Sequence, residues 1–221
     1  MKDFAWLYQH ALEHKGEDLE LLLPACLDNK QIATKPDAEV FSVLSRRVFR
    51  SGLKHSVVDA KWSGFEEAFF GFDPRKVALM SDEQLEKLMQ NDKIIRHWGK
   101  IKATRANAFM ITELADKHGS FAQWIAAWPE DNIIGLWAEL KKQGAQLGGN
   151  SGAYFLRMLG KDSFVLTDDV IAALKAQGIV DKKPTAKRDL EKVQSAFNQW
   201  KAESGRPLCH ISRLLAFTVG W

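Results

Sequence analysis

Cysteine is scarce in this chain: Cys26 and Cys209 are the only two in 221 residues. They form no C-x-x-C pair and no Cys/His cluster, so neither a disulfide framework nor a zinc module is expected. Long apolar runs are also missing. None reaches the roughly 18 residues that a bilayer demands, so no membrane partner is expected. Met1-Lys2-Asp3 is not a basic stretch leading into an apolar core, so no signal peptide is read and the expected compartment is cytoplasmic. Strand signals are poor, because β-branched stretches are short and no Asn-Gly or Asp-Gly turn separates alternating segments. Charge is not strongly of one sign. Thirty-one Lys and Arg against 28 Asp and Glu leave +3, with a pI near 8.8, which permits nucleic-acid binding without requiring it. There are no repeats and no low-complexity segment.

What the chain has in quantity is helical punctuation. Hydrophobic residues make up 46% and charged residues 27%, an ordinary balance for a chain that buries a core. Glycines close amphipathic stretches at Gly16, Gly52, Gly119, Gly144, Gly160, Gly178 and Gly205, where a left-handed residue ends a helix. Ser81 with Gln84 and Ser120 with Gln123 fit the capping box. Val40, Val43, Leu44 and Val48 share one helical face, as do Ile133, Leu136, Trp137 and Leu140. The pattern predicts about nine or ten helices, near 3–14, 38–51, 57–69, 82–90, 97–118, 121–128, 131–143, 151–159, 168–177, 186–204 and 207–219, some fused or only single turns. The stretch 17–37 is less regular. The fold class is all-α, a single unit over 1–221 with two lobes.

Four segments are candidates for chemistry. Leu147-Gly148-Gly149-Asn150-Ser151-Gly152-Ala153-Tyr154 sets three glycines between two helices. Such a turn aims backbone N–H groups and a helix dipole at one point, which suits a phosphate; it also suits a plain loop. No Gly-Lys-Ser/Thr and no preceding strand mark it as a nucleotide loop. Thr167-Asp168-Asp169 opens a helix, where either Thr167 or Asp168 is a natural cap. A carboxylate there, beside a phosphate-gripping turn, is also placed to stabilise a sugar cation or activate water. The run from Asp92 to Ala108 holds five basic residues and reads as a solvated basic helix face unless something binds it. Arg46 to His55 surrounds a Gly52-Leu53 turn with cations. Leu53 there is either a wedge for a base stack or a helix-stop contact.

Taken together, Ser51-Gly52-Leu53-Lys54-His55, Phe72-Asp73-Pro74-Arg75-Lys76-Val77-Ala78, and Ile94-Ile95-Arg96-His97 with Gly99-Lys100-Ile101 and Asn107-Ala108 resemble the bacterial 3-methyladenine DNA glycosylase I family. Order and spacing agree over roughly 38–160, and the Ile-Ile-Arg-His to Gly-Lys-Ile segment is the most specific part. The hairpin, about 140–160, with the acid after it, resembles the wider helix-hairpin-helix glycosylase superfamily. The resemblance implies two helical lobes, double-stranded DNA gripped by the hairpin, and a damaged base flipped into the cleft between lobes. The chain departs from the family at four places. The family's zinc ligands, two Cys and two His, have no counterparts here, so no metal and no cofactor are expected. The family's base-reading glutamate falls at Arg47, and a pocket tryptophan falls at His55. The family lacks the superfamily's catalytic aspartate. This chain offers Asp168, which has the superfamily's apolar residue three positions later as Ile171, with Asp169 the close alternative.

The expected activity is therefore removal of an alkylated, 3-methyladenine-like base from DNA by a monofunctional, monomeric N-glycosylase. Asp168 or Asp169 would be catalytic. Trp6, Tyr8, Arg47, His55 and Trp62 would form the base pocket. Arg50, Leu53, Lys54, Gly149, Ser151 and Gly152 would contact DNA. The alternatives are a non-catalytic protein that recognises damaged or abasic DNA, and a helical interaction protein with no DNA role.

Overall fold

Both capping signals read from the sequence open a helix. A computed structural model describes residues 1–219 and holds fourteen α-helices and no strand among them. At Ser81 the box is complete: the hydroxyl accepts from Gln84 N–H, and Gln84 returns a bond to the cap's own N–H. At Ser120 only the hydroxyl half forms, 3.0 Å from Gln123 N. The expected helices appear as α1 (Phe4–Lys15), α3 (Asp37–Arg50), α7 (Asp82–Leu88), α8 (Trp98–His118), α9 (Phe121–Ala127), α10 (Ile133–Gln143), α11 (Ser151–Leu159), α12 (Asp168–Ala176), α13 (Lys187–Ser204) and α14 (Leu208–Phe217).

Four expectations need correction. The segment 57–69 is two helices, α4 (His55–Ala60) and α5 (Trp62–Ala68), because Lys61 leaves helical geometry at φ −103°, ψ 6° while its ammonium bonds the Asp92 carbonyl. The irregular stretch 17–37 contains α2 (Asn29–Ala33), started by a full Asp28/Gln31 capping box. A further short helix, α6 (Pro74–Ala78), starts where the Asp73 carboxylate takes two backbone N–H groups and Pro74 needs none. Gly144 does close α10, but in an extended conformation at φ −98° rather than a left-handed one.

The helices pack chiefly in two sets. In one, α8 carries α6, α7 and α9, α3 lies on α8, and α2 lies on α9. In the other, α14 carries α1, α12 and α13. Between them α11 packs on α3, and α10 contacts both α11 and α13. Val40, Leu44 and Val48 of α3 are fully buried, and so are Ile133, Leu136 and Leu140 of α10, so the helical stripes face inward as their spacing dictates. Aromatic rings fill the first set: Trp62 stacks on Phe72 at 5.2 Å, and Phe41 meets Phe72 edge-on at 5.5 Å. Phe164 on Phe197, 4.2 Å apart, fills the second. No helix is long and apolar enough to cross a membrane among the described residues.

One buried lysine ties the end of α11 to α9 and α2. Lys161 is 1% exposed. Its ammonium donates to the Trp128 carbonyl at 2.9 Å, the Ala126 carbonyl at 3.5 Å and Asn29 Oδ1 at 2.8 Å, so it closes the carbonyl end of α9. Burial holds its pKa below the usual lysine value. Replacing Lys161 with Met should therefore strand those acceptors and lower stability by about 2–4 kcal/mol. Urea unfolding followed by circular dichroism measures this, and an unchanged midpoint would show that the carbonyls find other donors.

Candidate functional site

The site is built at the carbonyl end of α3. That helix stops at Arg50, and Gly52 turns the chain at φ +73°. Its terminal carbonyls are gathered by one side chain from α8: Lys100 Nζ donates to the Val48 carbonyl at 2.9 Å, the Phe49 carbonyl at 3.0 Å and the Ser51 carbonyl. Lys100 is buried, and burial, then Arg47, pulls its pKa below the ordinary lysine value. This clamp fixes the 51–54 turn against α8. α11 packs on α3 from the other side.

Between the turn and α11 lies a cavity of about 500 Å³. Arg47, Arg50 and Leu53 line it from α3 and the turn, with His55 from the start of α4. Tyr154, Arg157 and Met158 line it from α11. The guanidinium of Arg47 sits 4.8 Å over the Tyr154 ring. Arg157 donates from Nη2 to the Ser163 carbonyl at 3.3 Å. Burial lowers the pKa of both arginines, though an arginine stays charged at any working pH. The Nε–H groups of Arg47 and Arg157 are buried and have no hydrogen-bond partner.

The sequence expectations fare unevenly here. The structure brings Arg47, His55, Arg50 and Leu53 to one wall. Leu53 is half-buried against the core as well as at the rim. The Arg50 guanidinium is engaged in a two-pronged pair with Asp59, Nη2 lying 2.7 and 2.6 Å from its two oxygens. Lys54 is exposed beside the turn without lining the cavity. The three aromatic expectations are corrected. Trp62 is 4% exposed, in the core, with its Nε1–H on Ser42 Oγ at 3.0 Å and Arg46 over its ring. Trp6 stacks on His10 at 4.4 Å, and Tyr8 donates to Glu20 at 2.8 Å. Both ride on α1, which packs on α13 and α14 rather than α3. Tyr154, Arg157 and Met158 received no role from the sequence. Their signal was the i, i+3, i+4 spacing that puts all three on one face of α11.

The glycine turn adjoins a second cavity of about 880 Å³, walled in part by Trp128, Trp137, Gly149, Asn150 and Leu166. Gly149 is exposed at φ +57°. Ser151 and Gly152 are buried, and the Ser151 N–H is spent on the Gly148 carbonyl at 3.1 Å, so the expected phosphate contact narrows to the neighbourhood of Gly149. Asn150 Nδ2 donates to the Leu166 carbonyl at 2.7 Å, tying the turn to the approach of α12. There Thr167 is the cap, accepting from Val170 N–H at 3.2 Å. Asp168 and Asp169 follow on the first turn, exposed to solvent and outside the walls of both cavities. The basic run 92–108 is not a free cationic face. Lys100 is buried, Arg105 bonds the Met80 carbonyl and Asp82, and Lys93 pairs with Glu67.

The two cysteines, distant in sequence, meet. Cys26, Cys209 and Asp162 place ligand-type atoms within 4.8 Å of one another. Asp162 Oδ1 accepts from the Cys209 N–H at 2.9 Å, while Oδ2 pairs with Lys201 at 3.2 Å. The contact between the thiols lowers the pKa of Cys26 and raises that of Cys209.

Comparison with known proteins finds similarity in sequence and in fold. A family model described as methyladenine glycosylase matches residues 31–187. DNA-3-methyladenine glycosylase 1 of Escherichia coli K12 is 31% identical over 125 residues, which cover 57% of this chain and 62% of that protein. The chain thus aligns with less than two thirds of this relative's length. A crystal structure of a single-residue variant of 3-methyladenine DNA glycosylase I in complex with 3-methyladenine superposes with a TM-score of 0.54, at 22% identity, over 65% of this chain and 84% of that one. The 8-oxoguanine DNA glycosylase of Thermotoga maritima superposes with a TM-score of 0.53, at 15% identity, over 98% of this chain and 97% of that one. At these identities the structures speak for the fold. The second covers nearly the whole chain, where the first leaves about a third of it unmatched.

The clamp makes its own prediction. Lys100→Met should free three carbonyls beside the turn and raise amide hydrogen exchange of residues 51–53 about tenfold, the effect of losing roughly 1.4 kcal/mol of local stability. Unaltered exchange at those amides would mean that the turn holds itself.

Proposed function

The chain belongs to the methyladenine glycosylase family, and from that membership we propose that it is a DNA N-glycosylase of base-excision repair. The observation that carries this reading is the cavity between the α3 turn and α11, of a size to take one extruded base and walled by an aromatic ring, apolar side chains and guanidinium donors. Its relatives bear the name of 3-methyladenine, which makes an alkylated adenine the first substrate to assay. The two sets of helices act as two lobes, with duplex DNA lying across them. Leu53 at the rim fills the gap that the extruded nucleotide leaves. The turn at Gly149 holds a backbone phosphate, and Lys54, exposed beside the rim, adds salt-dependent affinity.

The reaction breaks the bond between the base nitrogen and the sugar and adds water to the sugar carbon. Positive charge gathers on the sugar as the base leaves, and a carboxylate near it lowers that barrier. Asp168 is our first candidate and Asp169 the second. The support is positional: the Asn150–Leu166 bond ties the phosphate-holding turn to the segment two residues before Asp168. Both carboxylates are open to DNA bound on the outside. The enzyme is monofunctional, works as a monomer in the cytoplasm and needs no cofactor.

Duplex DNA carrying a single 3-methyladenine tests this. The expected outcome is free base and an abasic strand that breaks only on later alkaline treatment. Asp168→Asn should slow release by about a hundredfold at unchanged DNA binding. Full activity in both Asp168→Asn and Asp169→Asn removes the carboxylates from the mechanism. Tight binding to abasic DNA with no base released from any substrate would favour a non-catalytic damage-recognition protein.

A further inference from the structure

The cavity is cationic and short of acceptors. Arg47 and Arg157 both line it, and each is half-buried. Arg50 is neutralised by Asp59, but the cavity walls hold no carboxylate for the other two. Two guanidinium groups lining one cavity with no carboxylate beside them favour a ligand that brings acceptors and no positive charge. The guanidinium fork is planar and matches paired acceptors in the plane of a purine, as at its O6 and N7 edge. Met158 supplies apolar contact for the face of a ring, and the Tyr154 ring holds the Arg47 fork in one orientation. That is a planar slot with donors at its edge rather than a wet cationic groove of the kind that follows a phosphate chain.

We propose that this cavity selects a neutral purine whose edge carries hydrogen-bond acceptors, chemically a deaminated or oxidised 6-oxopurine, over a base that carries a fixed positive charge. The selection rests on the glycosylase reading above and deepens it, and Arg47 is its determinant. A cationic methylpurine brings like charge against Arg47 and Arg157 in a partly desolvated space. It still departs, because alkylation alone weakens its bond to the sugar, but the protein adds less to its departure. The neutral 6-oxopurine gains from the donors already in place.

The experiment compares single-turnover release of hypoxanthine, 7-methylguanine and 3-methyladenine from otherwise identical duplexes, each divided by the spontaneous rate for that base. The expected enhancement is at least about tenfold larger for hypoxanthine than for either cationic base, the yield of roughly one good in-plane pair of bonds. Arg47→Glu should reverse the order, and Arg47→Gln should bring the three enhancements together. Thermal melting reports whether each variant folds. Should Arg47→Glu fail to fold, Arg47→Gln and Arg157→Gln carry the test through the same ratio. A wild-type enhancement largest for the cationic bases, or a ratio that no arginine variant moves, overturns the inference and leaves the glycosylase reading standing. No release of any base by the wild type overturns the reading itself.

Discussion

The arrangement of this molecule around its cavity depends on one ammonium group. Lys100 sends its charge into the end of α3, where the helix has run out of N–H groups and its carbonyls carry the negative end of the dipole. A glycine turn alone does not settle the direction of the chain after Arg50. Holding the Val48, Phe49 and Ser51 carbonyls on one nitrogen does, and it fixes that direction against α8. Leu53 and His55 then arrive at the cavity, and Arg47, one turn back on α3, lies across from α11. The cavity wall is in this sense a consequence of a helix end being satisfied from outside its own helix.

The protein solves the same problem twice. Lys161, next after the left-handed Gly160, closes α9 as Lys100 closes α3. In both, a long apolar stem crosses the core while the charged head meets backbone oxygens, which suits lysine's single point of charge better than arginine's fork. The Gly160 position shows how tight this region is: a Cβ there would stand 2.7 Å from Leu27. The chain before α2 therefore lies directly on the end of α11, and Leu27 N–H donates to the Gly160 carbonyl at 2.9 Å.

These facts also mark the limits of reading the chain as letters. The all-α class and most helices were legible, because apolar period and glycine stops act locally and agree with the packing. The family resemblance was legible for the same residues that build the clamp, Gly99-Lys100-Ile101. The fate of the charges was not. Lys93, Lys100 and Arg105 look alike in the run 92–108, yet one is buried on carbonyls and two pair with acids distant in sequence. Trp6, Tyr8 and Trp62 had the right chemistry for a base pocket, and long-range packing assigned them elsewhere. Tyr154 and Arg157 acquire meaning only once α11 is laid on α3. Cys26 and Cys209 likewise come together only when the chain's two ends are packed side by side.

Two arginines with no carboxylate beside them mark the cavity wall. Arg46 lies instead on the Trp62 ring, away from that wall. Arg47 and Arg157 differ because two independent helices deliver them to one space, and Lys100 behind Arg47 adds to the same positive field. Like charges on one wall oppose folding, a cost that the Tyr154 ring under Arg47 and the Ser163 carbonyl on Arg157 work against. Proteins keep such local losses where a site needs its donors fixed before the ligand arrives, since groups already oriented need no reorganisation at the moment of binding. The helix end that Lys100 satisfies and the donors that Arg47 and Arg157 leave open are thus parts of one design: backbone bonding is completed so that the side chains above it can remain unfinished.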